Sequence, residues 1–400
     1  MNDAPLAGTL VLELASVLAG PSVGMFLAEL GARVVKVEHF RAGGDVTRTW
    51  KLKTESLATD RPAYFTAVNW GKDSVGIDLS HPQGRKVVQA LAQRADIVLV
   101  SYKPGDAVKL GMDPATLQAA NPRLIYAALT AYGEDDPRPG FDAIIQAEAG
   151  FTYLNGHPGG DPVKMPVALM DLLAAHQLKE AILLALLRRE RTGQGSVIGV
   201  SLIHAALSSL ANQATNWLVG GVLPQRIGSE HPNIVPYGTI FHTADGSSIV
   251  LAVGSDTHFQ RLCEVLGCAE LAADPDYTTN AARVRHREAL NALLAARIAT
   301  HARDALLHAL AGAGVPAGAV RNVEEALAAP HAQPLLIEGD GLRALRGAAF
   351  TLDGQVPRPL SAPPHLGNAT RPVLNDLLGL SDTEISDLIT QGALMLDANA

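Results

Sequence analysis

Four hundred residues, 48% of them apolar, are enough for a large core and for more than one domain. The formal charge is −8 and aromatic residues make up only 4%, so no nucleic-acid partner is expected, because such a surface needs a basic face and stacking rings. The start, MNDAPLAGTLVLELA, carries no basic stretch or cleavage-type signal. The most apolar run, 172–187, is interrupted by His176, Lys179 and Glu180 and falls short of the roughly 20 residues of a membrane span. A cytoplasmic protein without a membrane partner is the expectation.

In chain order, TLVLELA reads as a strand, SVGMFLAELGA as a helix and RVVKVEH as a strand. SVGIDLS is a further strand and PQGRKVVQALAQRA a helix, followed by the strands DIVLVSY and RLIYAALTAYG. These strands are apolar on both faces and alternate with helices, which predicts a parallel sheet covered on both sides. A helix over 172–192 and the strand SVIGVSL come next, then one long helix over 203–221. The fold class expected is α/β, with a Rossmann-like parallel sheet in a large domain.

The pattern changes near residue 222. PQRIGSEHPNIVPYG is irregular, and TIFHTADGSSIVLAVG reads as a hairpin turning at Asp245-Gly246. Helices around 256–267, 285–300 and 303–312 complete a smaller α+β domain. The boundaries expected are 1–222 for the first part of the large domain, 225–330 for the small one, and 331–400 for a segment returning to the large domain. Within that last segment, 355–367 is a proline-rich connector, and Ser381 with Glu384 forms a capping box for a terminal helix. Cys263 and Cys268 are five apart, a spacing of neither a redox pair nor a zinc pair, and they read as core residues of a reducing compartment.

The chain's opening strand–helix–strand unit, ending at Glu38, imitates a dinucleotide site. Its turn, LAGPSVG, lacks the glycine spacing that lets backbone approach a pyrophosphate. Walker A and HExxH motifs are absent, and the thirteen histidines are scattered, so no metal is expected. One acid stands out. In PVALMDLLAAHQLKEAILLALLRRERTGQG, Asp171 sits where a short apolar run meets a long helix. It fits an N-cap, with Arg188, Arg189 and Arg191 in the last turn and Gly193 beyond. Capping is the commoner use of such an acid, but the position is compatible with a carboxylate kept ionised by the helix dipole and usable as a nucleophile toward an activated acyl group.

The stretch MPVALMDLLAAHQLKEAILLALLRRERTGQGSVIGVSL resembles the nucleophile region of the family III CoA-transferases, which include formyl-CoA transferase and the carnitine CoA-transferases. Further matches run along almost the whole chain. They include LASVLAGPSVGMFLAELGARVVKVEHFRAGGDVTR, NWGKDSVGIDLSHPQGR, SYKPGDAVKLGMD, AYGEDDPRPGFDAIIQAEAG, HPNIVPYGTIFHTADG and the closing APPHLGN. The resemblance implies transfer of CoA from an acyl-CoA thioester to a free carboxylic acid. Asp171 would be the covalent nucleophile and an aspartyl-CoA thioester the intermediate. It implies coenzyme A as co-substrate and an interlocked homodimer.

For CoA itself the resemblance implies Leu18 and Ala19, with Gly20 and Pro21, at a close backbone approach. His39 would lie beside the adenosine, Lys109 on the phosphates with Lys72 and Lys103 near it, and Tyr132 would be an aromatic contact. Each lysine reads equally well as a solvated surface charge. Asp45 and Arg48 are expected as an internal pair or as part of the site, and Asp142 with Gln146 as structural. Leu18 and Thr130 replace a glutamine and a lysine of formyl-CoA transferase, and no glycine-rich covering loop is evident. This points away from oxalate and toward a larger or less polar acid. Two rivals remain. An α-methylacyl-CoA racemase-like enzyme would need a histidine where Phe141 stands. A non-catalytic CoA- or NAD-binding protein would form no covalent adduct.

Overall fold

The computed structural model describes residues 4–357 and 360–395. The chain forms two compact units. The first holds the chain up to Phe151, Met165–Thr215 and the part from Pro334 onward; the second holds Thr152–Lys164 and Asn216–Gln333.

The first unit is built on strands β1 (Leu10–Leu14), β2 (Arg33–Glu38), β3 (Lys72–Ile77), β4 (Ile97–Val100), β5 (Ile125–Thr130) and β6 (Ser196–Ser201). They pair in parallel in the order β3-β2-β1-β4-β5-β6, and a short C-terminal strand, Leu394–Met395, pairs antiparallel with β3. This is a mixed α/β architecture dominated by parallel pairs. The order reverses between β1 and β4, and such switch points are where open α/β sheets bind ligands, outside the carboxyl ends of the strands.

Both faces of the sheet are covered, which is why the strands carry no polar alternation. Val11, Val34, Ile97, Leu99, Ile125 and Ala127 point into one core. The helices Ala19–Glu29 and Leu169–Thr192 pack on that core through Val23, Leu27, Ala174 and Leu178. Leu12, Val35, Val37, Val98 and Tyr126 point the other way, beneath Val88 and Leu91 of Pro82–Arg94 and Val373 of Thr370–Leu378. The terminal helix Asp382–Thr390 has the expected capping box of Ser381 and Glu384.

The single helix expected over 203–221 is two, Leu202–Ser208 and Asn212–Leu218, separated by Ala211 in a left-handed conformation at φ 48°. The chain enters the second unit within that segment, so this unit begins earlier than the boundary expected near 225. It also takes up the loop 152–164, whose Tyr153 carbonyl accepts a hydrogen bond from Arg226 at 2.8 Å. Strands β7 (Tyr237–His242), β8 (Ser248–Ala252) and β9 (Ala317–Ala319) form an antiparallel sheet, and β7 and β8 turn at Asp245-Gly246 as expected. Cys263 and Cys268 are buried free thiols in this unit's core. Two residues of the proline-rich connector, 358 and 359, lie outside the described residues. No helix among the described residues is long and apolar enough to cross a membrane.

Candidate active site

A cavity of about 400 Å³ lies at the switch point. Its walls are the turn Ser16–Ala19 after β1, Val46 and Trp50 beyond β2, Ser101–Pro104 after β4, and Leu129–Ala131 at the end of β5. Asp136, Arg138–Phe141, Leu202 and Asp171 complete it.

Asp171 is the third residue of the helix Leu169–Thr192. It is not the cap: Ala168 holds that position and makes no side-chain cap bond. The helix begins earlier than expected because the approaching strand of chain is fastened from outside. Asp142 accepts the Met170 N–H at 2.8 Å and the Gln146 amide at 2.7 Å. Gln146 in turn accepts the Met165 N–H at 2.8 Å and donates to the Met165 and Val167 carbonyls. Asp142 and Gln146 are thus structural, as expected, and their structural task is to deliver Asp171.

The expectation that the helix dipole keeps Asp171 ionised is corrected. Burial, and after it the charge of Asp142, pushes its carboxyl up to about 7. Among the described residues, no hydrogen bond or ion pair engages this carboxylate. The dipole is worth at most a fraction of what desolvation costs here. The group is therefore poised between its two protonation states near neutral pH and is poorly solvated when charged.

The other sequence-derived residues divide into four groups. Leu18, Ala19, Thr130 and Lys103 lie in the cavity wall. Tyr132 stands just outside it, under the Arg138 guanidinium at 4.0 Å from the ring centre. Lys109 and His39 do not line the cavity. Lys109 is exposed and pairs with Asp106 at 2.8 Å, while His39 is half exposed, 3.8 Å from Asp78. Lys72 is corrected outright, for its side chain is fully buried. Its ammonium is bound to Glu13 at 2.8 Å, to the Pro21 carbonyl at 2.8 Å and to Asn69 at 2.9 Å, so it has no direction left for a phosphate. Burial pulls it down to about 8 against the attraction of Glu13.

Asp45 and Arg48 are not a pair with each other. Arg48 forks onto Glu38 at 2.7 and 2.8 Å, and Asp45 binds Lys36 at 3.0 Å. Gly24 makes the arrangement possible, since a Cβ there would stand 1.8 Å from a Glu13 carboxylate oxygen. A ring of ionised groups, Glu13, Lys36, Lys72, Asp45, Glu38 and Arg48, is therefore folded in below the start of the Ala19–Glu29 helix.

Two aromatic residues belong to the site without having been singled out in the sequence. Trp50 lines the cavity and meets Tyr64 edge-on at 4.9 Å. Burial raises the Tyr64 hydroxyl, and the charges of Asp171, Asp142 and Asp45 raise it further, which puts Tyr64 in the field of the nucleophile candidate. In a chain with 4% aromatics, the adjacent GDVTRTW and AYFT stretches were the available signal. Among the described residues there is no group of three or more histidine, cysteine or acidic side chains suited to a metal ion.

Comparison with known proteins gives the class. The profile of CoA-transferase family III matches residues 6–370, so the chain belongs to this family and is an enzyme that transfers CoA. It is 39% identical to a succinate–glutarate CoA-transferase of Agrobacterium fabrum, over 82% of this chain and 83% of that protein. It is 33% identical to the human succinyl-CoA:glutarate CoA-transferase, over 98% of this chain and 90% of the human one. The crystal structure of a CAIB/BAIF family protein from Brucella suis superimposes with a TM-score of 0.84 at 38% identity, covering 94% of this chain and 99% of that one.

Proposed function

We propose that the protein moves CoA from an acyl-CoA to a free carboxylic acid with Asp171 as covalent nucleophile. The observation that carries this reading is the half-buried Asp171 carboxyl in the switch-point cavity, without a hydrogen-bond or ion-pair partner among the described residues and pushed up to about 7. A carboxylate stripped of water and of ionic partners is more nucleophilic than a solvated one, and it is also a competent leaving group.

The sequence of steps balances without any external acid or oxidant. The Asp171 carboxylate adds to the donor thioester carbon, the C–S bond breaks, and CoA departs as thiolate, leaving an anhydride between donor and Asp171. The thiolate then attacks the Asp171 carbonyl carbon and expels the donor carboxylate, which leaves aspartyl-CoA. The acceptor carboxylate attacks that thioester, thiolate leaves again, and its return to the acceptor carbonyl yields the new acyl-CoA and restores Asp171. Each addition places negative charge on a carbonyl oxygen, and free N–H groups at the start of the helix Ala19–Glu29, in the facing wall, are suited to receive it.

For CoA itself, the support is graded. Leu18, Ala19 and Lys103 belong to the wall, while Lys109, Tyr132 and His39 lie farther out, where a long ligand's nucleotide end would reach. The acceptor is proposed to be a dicarboxylate of succinate or glutarate size. The named relatives act on such acids, and Lys103 offers a cation in the cavity for a second carboxylate, Arg138 being bound to Asp136 at 2.9 Å. Phe141, in the same wall, carries no transferable proton, which disfavours racemisation at the α-carbon. A homodimer is supported by Leu183, Leu184 and Leu187, large apolar side chains left exposed on the Leu169–Thr192 helix. A cytoplasmic setting and the Rossmann-like kinship of the parallel sheet belong to the same proposal.

The test is a panel of CoA thioesters against mono- and dicarboxylic acids, followed by mass spectrometry of the products. Transfer between dicarboxylates of four to six carbons is the expected result. Hydrolysis alone, or α-proton exchange without transfer, would refute the reading.

A further inference from the structure

Val17 is β-branched, yet it sits at φ 74°, a left-handed conformation that is an outlier for such residues. It is also in the wall of the cavity, in the turn Ser16–Ala19. Strained backbone at a site persists only when its surroundings impose it, and here the surroundings can be named. The Val17 N–H is shared between both carboxylate oxygens of Asp45, at 3.3 Å each. Asp45 is itself buried and fixed by the Thr47 N–H at 3.0 Å and the Thr47 hydroxyl at 2.8 Å. Lys36 binds Asp45 at 3.0 Å and, with the same ammonium, donates to the Ala15 carbonyl at 2.9 Å. One lysine thus grips the chain on both sides of Ser16, directly at Ala15 and through Asp45 at Val17. Gly20 completes the tight turn, since a Cβ there would lie 2.4 Å from that of Ala15.

We propose that Asp45 and Lys36 are positioning residues for CoA transfer, holding Val17 in its strained conformation so that the Ser16–Ala19 turn forms the wall against which the acyl-CoA is set. Neither reaches the cavity. They act through the backbone, and the effect is one of geometry: displacement of a reacting group by about an ångström can cost on the order of 100-fold in rate. The proposal rests on the reading of this cavity as the acyl-CoA site.

The test is a cycle of Asp45→Asn, Val17→Gly and the double variant, measured as kcat and KM for CoA transfer beside melting temperature. Asparagine keeps the shape but weakens the hold on Lys36, and kcat should fall roughly 10- to 100-fold with a smaller change in KM. Glycine adopts the left-handed conformation without strain. In the Asp45→Asn background, Val17→Gly should therefore recover about tenfold of the lost kcat, whereas in the native background it brings no gain. A merely structural role for Asp45 predicts that the two changes add. Thr47→Val, which removes only the hydroxyl bond to Asp45, gives a milder loss of about threefold that Val17→Gly should also recover, and it decides the matter if Asp45→Asn does not fold. Native kcat in Asp45→Asn or Thr47→Val, or no recovery by glycine, overturns the proposal. If Asp171→Ala still transfers CoA at the normal rate, it is the reading of the site that falls, not the clamp.

Discussion

Two populations of buried carboxylate lie in the same unit and have opposite fates. Below the Ala19–Glu29 helix, Glu38 accepts from Arg48, from Ser74 at 2.6 Å and from the Asp45 N–H at 2.8 Å. Burial alone would raise it, but Arg48 foremost and Lys36 hold it below the usual carboxylate range. Asp45 is held down in the same way against burial, by Lys36 and Thr47. In the cavity, Asp171 is half-buried and, among the described residues, has no such partners, and it rises to about 7. Burial does not decide reactivity. Compensated charges become scaffold, and the uncompensated one is left with free energy to give up on forming a bond.

The comparison is broken most sharply at Asp171. Asp171→Asn should lower turnover by about 1,000-fold or more, because the amide neither attacks the thioester nor leaves from an anhydride. A steady-state CoA-transfer assay on the folded variant measures it.

On the scaffold side, Lys72→Met should cost roughly 3 kcal/mol of stability, since it strips a buried partner from Glu13. Denaturant unfolding would show this, and KM for acyl-CoA in the folded protein should stay near the native value. A large rise in KM with native stability would return Lys72 to the CoA site.

The pH dependence sharpens the contrast. Transfer requires ionised Asp171, so the acid limb of kcat/KM should rise through about 7. Asp142→Asn removes the second contribution to that elevation, a neighbouring negative charge, and should move the limb to lower pH. A limb that stays in place would show that Asp142 acts on Asp171 only by fastening Met170.

The smallest effect is on stability. A carboxyl raised by folding binds its proton more tightly in the native chain than in the unfolded one. Between its ordinary value of 3.8 and about 7, stability therefore falls as pH rises, and the full cost is present above about 7. Asp171→Asn removes that cost. Its melting temperature should exceed the native one by a few degrees above about pH 8 and show no gain below about pH 4.

How much of this was written in the residue pattern depends on range. The strands were readable because doubly covered parallel strands are continuous apolar runs, and the Asp245-Gly246 hairpin and the Ser381 capping box are local. The Leu394–Met395 strand was not readable, since two residues show no periodicity. Nor was the break at Ala211, which carries no glycine or proline. Asp171 could be singled out from the seam it occupies, but its protonation could not. That depends first on burial, then on the charge of Asp142, distant in sequence, with no partner engaging the carboxyl among the described residues. Lys72 misled for the same reason. A lysine beside a surface-like Gly-Lys-Asp stretch reads as solvated, and only the fold brings Glu13, Pro21 and Asn69 around it.

The central claim is a bond between Asp171 and an acyl carbon. The direct measurement is to incubate the protein with succinyl-CoA, quench with hydroxylamine or borohydride, and map the modified peptide by mass spectrometry. The account predicts one adduct, on the peptide carrying Asp171, absent when acyl-CoA is omitted and absent in Asp171→Asn. Full CoA transfer with that carboxylate unmodified, or an adduct formed on another residue, would contradict it.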